Sequence, residues 1–242
     1  MPHDSDKRHF ATTQWSVVAA AGDSNHADVQ EALTQLCESY WYPLYAYVRR
    51  RSYSAADAQD LTQAFFARLL EKQSLKVADP ERGKFRSFLL ASLDNFLANE
   101  HDRAAAQKRG GHLNQLSLDL AEGESRISLE PAHELTPERL YERQWALTML
   151  ELVVDRIKAE YIDAGKERQF ELLKGAFGGD RDRLPYAEIA EELGTTSENA
   201  RQLGHRLRRR YRELLREEVA RTVANPADVD EELANLFEAL GN

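Results

Sequence analysis

Apolar residues recur along this chain with a helical period and hardly ever alternate. Val29, Ala32, Leu33, Leu36, Cys37 and Tyr40 step through i, i+3, i+4, i+7, i+8 and i+11, one face of a helix. The stripe continues past Pro43 with Leu44, Tyr45 and Val48. A proline there removes a backbone hydrogen bond, so a kink or a restart is expected. Ser54 with Asp57 three residues on is a cap signal; it opens a second helix with Ala58, Leu61, Phe65 and Leu69 inward and an end near Lys72. After the loop "ADPERGK", a third helix starts at about Phe85. It carries Phe85, Phe88, Leu89, Ser92, Leu93 and Phe96 on one face and runs through Arg103 until Gly110-Gly111 stops it.

The period then fails. Residues 112–135 hold Pro131 and a run of acids and read as a linker. Thr136-Pro137, a capping residue before a proline suited to the first helical turn, opens a new unit with Leu140, Trp145, Leu147, Leu150, Val153, Val154 and Ile157 facing inward. A helix from about Gly165 to Phe177 follows. The expectation is an all-α protein of two small helical domains joined by an acidic linker. Its parts are an N-terminal extension (1–27), a first domain (28–111), the linker (112–135), a second domain (136–222) and an acidic amphipathic C-terminal helix (223–242). That last helix carries Val229, Leu233, Leu236, Phe237 and Leu240 on one face. Docking on its own second domain is its most ordinary fate; shielding a basic helix or binding a regulator are the others.

The segment "LPYAEIAEELGTTSENARQLGHRLRRRYRELL" narrows the picture. Pro185 starts a helix with Ile189, Ala190 and Leu193 inward, Gly194 allows a left-handed turn, and Thr195 to Ser197 cap a second helix. This is a helix-turn-helix pattern, with a small residue at the crossing and glycine in the turn. In a DNA major groove, Ser197, Glu198, Asn199, Arg201 and Gln202 at the start of the second helix face base edges. His205, Arg206, Arg208, Arg209 and Arg210 meet phosphates. Arg201 and Gln202 can read bases by paired hydrogen bonds. Gly204 inside this helix either lets another helix close or weakens it.

Charge supports that reading more than composition does. The whole chain carries a formal charge of -9, yet residues 201–216 hold seven arginines and one glutamate, +6, which leaves -15 elsewhere. Such polarity marks a local anion-binding surface; an isolated arginine run with no such motif before it reads equally well as a solvated face. No apolar run is long enough to span a bilayer and the first residues lack a signal-peptide pattern, so a cytoplasmic protein without membrane insertion is expected. The single cysteine, Cys37, reads as a small core residue. There is no phosphate-binding glycine loop, no metal-ligand spacing and no nucleophile with its base; no catalytic residue, metal or cofactor is expected.

These segments together resemble the sigma-70 class of RNA polymerase sigma factors, of the small two-domain extracytoplasmic-function type. "YSAADAQDLTQAFFARLLEK" is similar to sigma region 2.2, "GKFRSFLLASLDNFLANEHDR" to regions 2.3 and 2.4, and the helix-turn-helix segment to region 4.2. "YWYPLYAYVRRR" and "FRSFLLASL" look closest to the sigma-like subgroup abundant in Planctomycetes. The resemblance implies a sigma region 2-like first domain and a region 4-like second one that reads the minus-35 element. Asp57, Asp60, Leu61, Gln63, Phe66 and Arg68 would dock on core RNA polymerase, with Ala64 standing where the family usually has Glu. Lys84, Arg86, Asn95, Asn99, Arg103, Lys108 and Arg109 would hold the melted minus-10 strand of promoter DNA, with a flipped base captured in the loop 79–84. Phe85 and Phe88 share the core stripe and are expected to pack internally, as are Trp41 and Trp145. The acidic linker either threads toward the polymerase cleft or is a plain tether. An anti-sigma factor or other regulator belongs to the expected partners. The rival reading is a stand-alone helix-turn-helix regulator on a duplex operator.

Overall fold

Pro43 does not break the first helix. A computed structural model describes residues 27–70, 84–106, 123–124, 126–127, 135–177 and 184–241, and these form helices and turns with no strand among them. Helix α1 runs Ala27–Arg50 with Pro43 inside it. A helix-interior proline costs about 3 kcal/mol. Here the residues flanking it, Tyr40, Tyr42, Leu44 and Tyr45, are 0 to 3% exposed, and burial on that scale outweighs the lost hydrogen bond.

Helix α2 (Ala55–Leu70) begins at the expected cap: the Asp57 amide donates to Ser54 Oγ at 3.1 Å and the Ser54 hydroxyl donates to Asp57 Oδ2 at 2.7 Å. Helix α3 (Phe85–Ala106) buries Phe85, Leu89, Leu93, Phe96 and Leu97, while Phe88 and Ser92 are half-buried. Helix α4 (Pro137–Asp163) starts with the Arg139 amide donating to Thr136 Oγ1 at 3.3 Å. Helix α5 (Glu167–Leu173) continues as a 3-10 turn over Lys174–Phe177. Helices α6 (Tyr186–Glu192) and α7 (Ser197–Thr222) follow, then a 3-10 turn at Pro226–Asp228 and helix α8 (Val229–Gly241).

The chain divides into two compact units, Met1–Ala146 with Val219–Asn242, and Leu147–Glu218. This differs from the sequence boundaries, because the start of α4 and the whole of α8 go with the first unit. The cause is aromatic and ionic packing. Tyr47 meets Tyr141 edge-on at 6.4 Å between ring centroids, Tyr40 meets Phe85 at 5.6 Å, and the Tyr141 hydroxyl donates to the Arg86 carbonyl at 2.9 Å. The C-terminal helix belongs to the first unit, where Glu232 meets Arg86 and Lys84.

Part of the acidic linker is held in the first unit as well. Glu124 accepts from Arg49 Nε and Nη2 at 2.6 and 3.2 Å and from the Tyr45 hydroxyl, Gly123 lies against Trp41, and Arg50 donates to the Leu135 carbonyl at 3.1 and 3.0 Å. At these points the linker is not a plain tether. Residues 1–26 of the expected N-terminal extension, the loop 79–83 and most of the linker lie outside the described residues.

The second unit centres on Val153, Ile157, Phe170, Leu173, Ile189, Ala200, Leu207 and Leu214, all buried. Phe177 stacks on Tyr211 at 4.9 Å and Phe170 on Tyr161 at 5.9 Å, which fixes α5 and the 3-10 turn against α4 and α7.

Candidate nucleic-acid interface

Two sets of basic residues were expected to meet DNA, and the fold treats them differently. The first lies on α7. Gly194 takes φ +61 between α6 and α7, a conformation that glycine adopts without a Cβ clash. The Asn199 amide then donates to Thr196 Oγ1 at 3.2 Å and its side chain to Thr195 Oγ1 at 2.7 Å, so Asn199 helps cap the helix on which it rides. Ala200, Gly204 and Leu207 turn inward. Glu198, Arg201, Gln202, His205, Arg206, Arg209 and Arg212 are exposed along the outer side, and Ser197 is half-buried at the start.

Gly204 is where α6 and α7 close. A Cβ built on it would stand 3.0 Å from Tyr186 Oη and 3.2 Å from Tyr186 Cε1. The glycine admits the tyrosine ring; of the two readings open in the sequence, close packing is the one the structure supports. Tyr186 Oη in turn accepts from Arg208 Nη1 at 3.3 Å. Arg210 departs further from the expected phosphate role. Its Nε and Nη2 donate to the two oxygens of Glu160 on α4 at 3.0 and 2.6 Å. The Arg210 hydrogen bonds hold the Glu160 carboxyl below the usual carboxylate range against a smaller opposing effect of burial. Arg209 pairs with Glu213 at 2.8 Å and Arg201 with Glu198 at 3.8 Å, both within the exposed surface of α7.

The second set stands at the start of α3. Arg86 is not on the surface: its side chain is 6% exposed and packs over the Trp145 ring, 4.4 Å from the centroid. It donates from Nε and Nη2 to Glu232 at 2.6 and 3.1 Å and also pairs with Glu142. Lys84 Nζ lies 3.0 Å from Glu232 and 3.2 Å from Glu231. Burial pushes the Glu232 carboxyl up, but the hydrogen bonds and charges of Arg86 and Lys84 together hold it below the usual range. Asn95 and Asn99 are exposed further along α3, with Asn99 Nδ2 donating to the Asn95 carbonyl at 2.7 Å. The side chain of Arg103, and Lys108 and Arg109 entirely, lie outside the described residues.

The expected polymerase-docking residues divide similarly. Asp57 and Asp60 are exposed and Leu61, Gln63 and Arg68 half-buried on α2. Phe66 is fully buried, edge-on to Phe65 at 5.7 Å, and so is a core residue instead of a docking contact. Phe85 and Trp145 are core, as their stripes predict; Trp41 is half-buried beside Tyr42 and Tyr45. Glu232, Glu142 and Glu160 enter as partners that the sequence expectations do not include. Glu232 had a signal, since it sits three residues after Val229 and four before Leu236, on the apolar stripe where a charge needs a counter-ion.

With this geometry in place, comparison with known families adds one result. Residues 36–106, under a third of the 242-residue chain, match the family model described as Sigma-70 region 2. The match covers most of α1, all of α2 and all of α3, the helices that form the first unit together with the start of α4 and with α8. No curated protein and no solved structure matches the chain. The region 2 match supports a sigma-factor role in promoter recognition and transcription initiation. No helix among the described residues is long and apolar enough to cross a membrane.

Proposed function

We propose that this chain is an RNA polymerase sigma factor of the extracytoplasmic-function type, akin to the Planctomycetes subgroup. It would bind core RNA polymerase, recognise minus-35 and minus-10 promoter elements and assist strand opening. The observation that carries the reading is the match of residues 36–106 to Sigma-70 region 2. The exposed face of α7, with Arg201 and Gln202 near its start and Arg206, Arg209 and Arg212 behind, supports a region 4-like helix-turn-helix that grips duplex DNA. On α2, exposed Asp57 and Asp60 with half-buried Leu61 and Gln63 offer the mixed polar and apolar surface that docking on polymerase needs. In this reading the protein performs no chemistry of its own, and an anti-sigma factor or other regulator controls it.

The test is transcription in vitro with purified core polymerase on fragmented genomic DNA. Transcripts from discrete start sites that depend on this protein are the expected result. Duplex binding with no association with core polymerase would instead identify a stand-alone helix-turn-helix regulator.

A further inference from the structure

Glu232 is fully buried on the apolar side of α8, between Val229 and Leu236. A carboxylate in such a place must be met by cations. It is met by both basic residues at the start of α3: Arg86 at 2.6 Å and Lys84 at 3.0 Å, with Glu231 reaching Lys84 at 3.2 Å. Its apolar residues are unevenly covered. Val229 and Leu236 are buried, Leu233 and Leu240 only half-buried, and Phe237 is 56% exposed. Two carboxylates on one lysine and one arginine thus form its ionic anchor. Adjacent phosphates of a nucleic-acid strand offer the same charge and the same acceptor oxygens. A guanidinium donating from Nε and Nη2 to Glu232 cannot donate from those atoms to a phosphate, so the two uses exclude each other.

We infer that α8 is a built-in nucleic-acid mimic, covering the Lys84 and Arg86 end of α3, and that a single DNA strand reaches this end only by displacing it. The inference rests on the sigma-factor reading for the identity of the strand. Once α8 leaves, Arg86 keeps Glu142 and the face of Trp145, which hold the guanidinium in place at the helix start. The tail also brings the right charge, with five acids and no base in residues 223–242.

The full-length protein tests this through amide hydrogen exchange along α8 and through anisotropy of a fluorescent, mixed-sequence, 12-nucleotide single-stranded DNA at low salt. Binding of the oligonucleotide is expected to speed exchange in α8 and leave α1 protected; binding without any change in α8 overturns the inference. Glu231→Gln with Glu232→Gln is expected to tighten binding several-fold and to steepen the log K against log salt slope by about 1.4, roughly 0.7 for each released cation on a single strand. Lys84→Ala added to that pair should remove part of the gain. A gain that survives Lys84→Ala undiminished, or that appears equally in the charge-matched variant Asp163→Asn with Glu167→Gln, overturns the inference. Should the double variant not fold, Glu231→Gln carries the test, because this side chain is 73% exposed and its loss leaves the buried pair intact. A smaller gain in the same direction is expected, and no gain counts against the mask. The two readings fail separately: strand-induced release of α8 without core-dependent transcription would sink the sigma factor and leave the mask. Core-dependent transcription with α8 protected throughout would do the reverse.

Discussion

The arginines of α7 and the basic pair at the start of α3 are the same chemistry in opposite states. On α7, Arg201 and Arg209 have 62% and 72% exposed side chains, and their acid partners sit three or four residues away on the same helix. Such pairs contribute only a few tenths of a kcal/mol and yield easily to a phosphate. At α3 the partner of Arg86 comes from 146 residues away and both side chains are buried. Arg210 stands between the two, bound through two hydrogen bonds to Glu160 but 37% exposed. A cation paired within its own helix stays available, whereas one paired across the fold becomes part of the core.

The largest effect that could break this contrast is on stability. Glu232→Ala leaves two cations facing a cavity, and loss of one partner of a buried pair costs about 3 kcal/mol; urea unfolding of the first unit should register it. Gly204→Leu comes next, since it drives a side chain into Tyr186 and overpacking of this kind costs about 2 kcal/mol. Gly204→Ala should be close to neutral: a gain of about 1 kcal/mol in helix propensity opposes a small shift of the ring, and thermal melts of the two variants separate these outcomes. On the proposed function, Arg201→Ala should relax discrimination at one base pair of the upstream element by about 1.5 kcal/mol, seen in competition binding against single-base variants.

The pH dependence is subtler. The folded-state Glu232 carboxyl is held below its ordinary value, facing Lys84 and Arg86 with Glu231 and Glu142 close by. Its stabilisation is therefore complete above an unfolded carboxylate pKa of about 4.3 and is lost as pH falls below that through the folded value. Amide protection along α8, corrected for the intrinsic exchange rate at each pH, should fall in that acid window and stay flat above it. Glu160, lowered in the same direction but 36% exposed, should contribute less because solvent screens it. The smallest change is Arg209→Ala: under about 0.5 kcal/mol in stability, with duplex affinity lowered across all sequences and the salt slope flattened by about 0.9.

Helices, caps and the open arginine face were legible in the sequence because they depend on near neighbours. Ser54 and Asp57, Thr136 and Pro137, and Gly194 with Thr196 each act within a few residues. What escaped was set by distance. Arg86 reads as a surface cation until Glu232 and Trp145 arrive from elsewhere in the chain, yet it sits seven residues before Leu93 and eleven before Leu97, on the buried stripe of α3. The resemblance places Phe66 on a docking face, whereas its neighbours Phe65 and Leu69 mark the inward side of α2, where Phe66 is buried with them. Pro43 reads as an interruption of α1 on local backbone chemistry alone, and the buried tyrosines around it override that preference.

The contrast is tested most directly by the rate at which each arginine reacts with a phenylglyoxal reagent in the native full-length protein, read by mass spectrometry of its peptides. Arg201, Arg206, Arg209 and Arg212 should react at the rate of free side chains. Arg86 should react roughly tenfold more slowly or slower still, as expected for a group reached only through local opening, and should catch up in the Glu231→Gln, Glu232→Gln variant. Arg86 reacting as fast as Arg206 in the native chain would contradict the account.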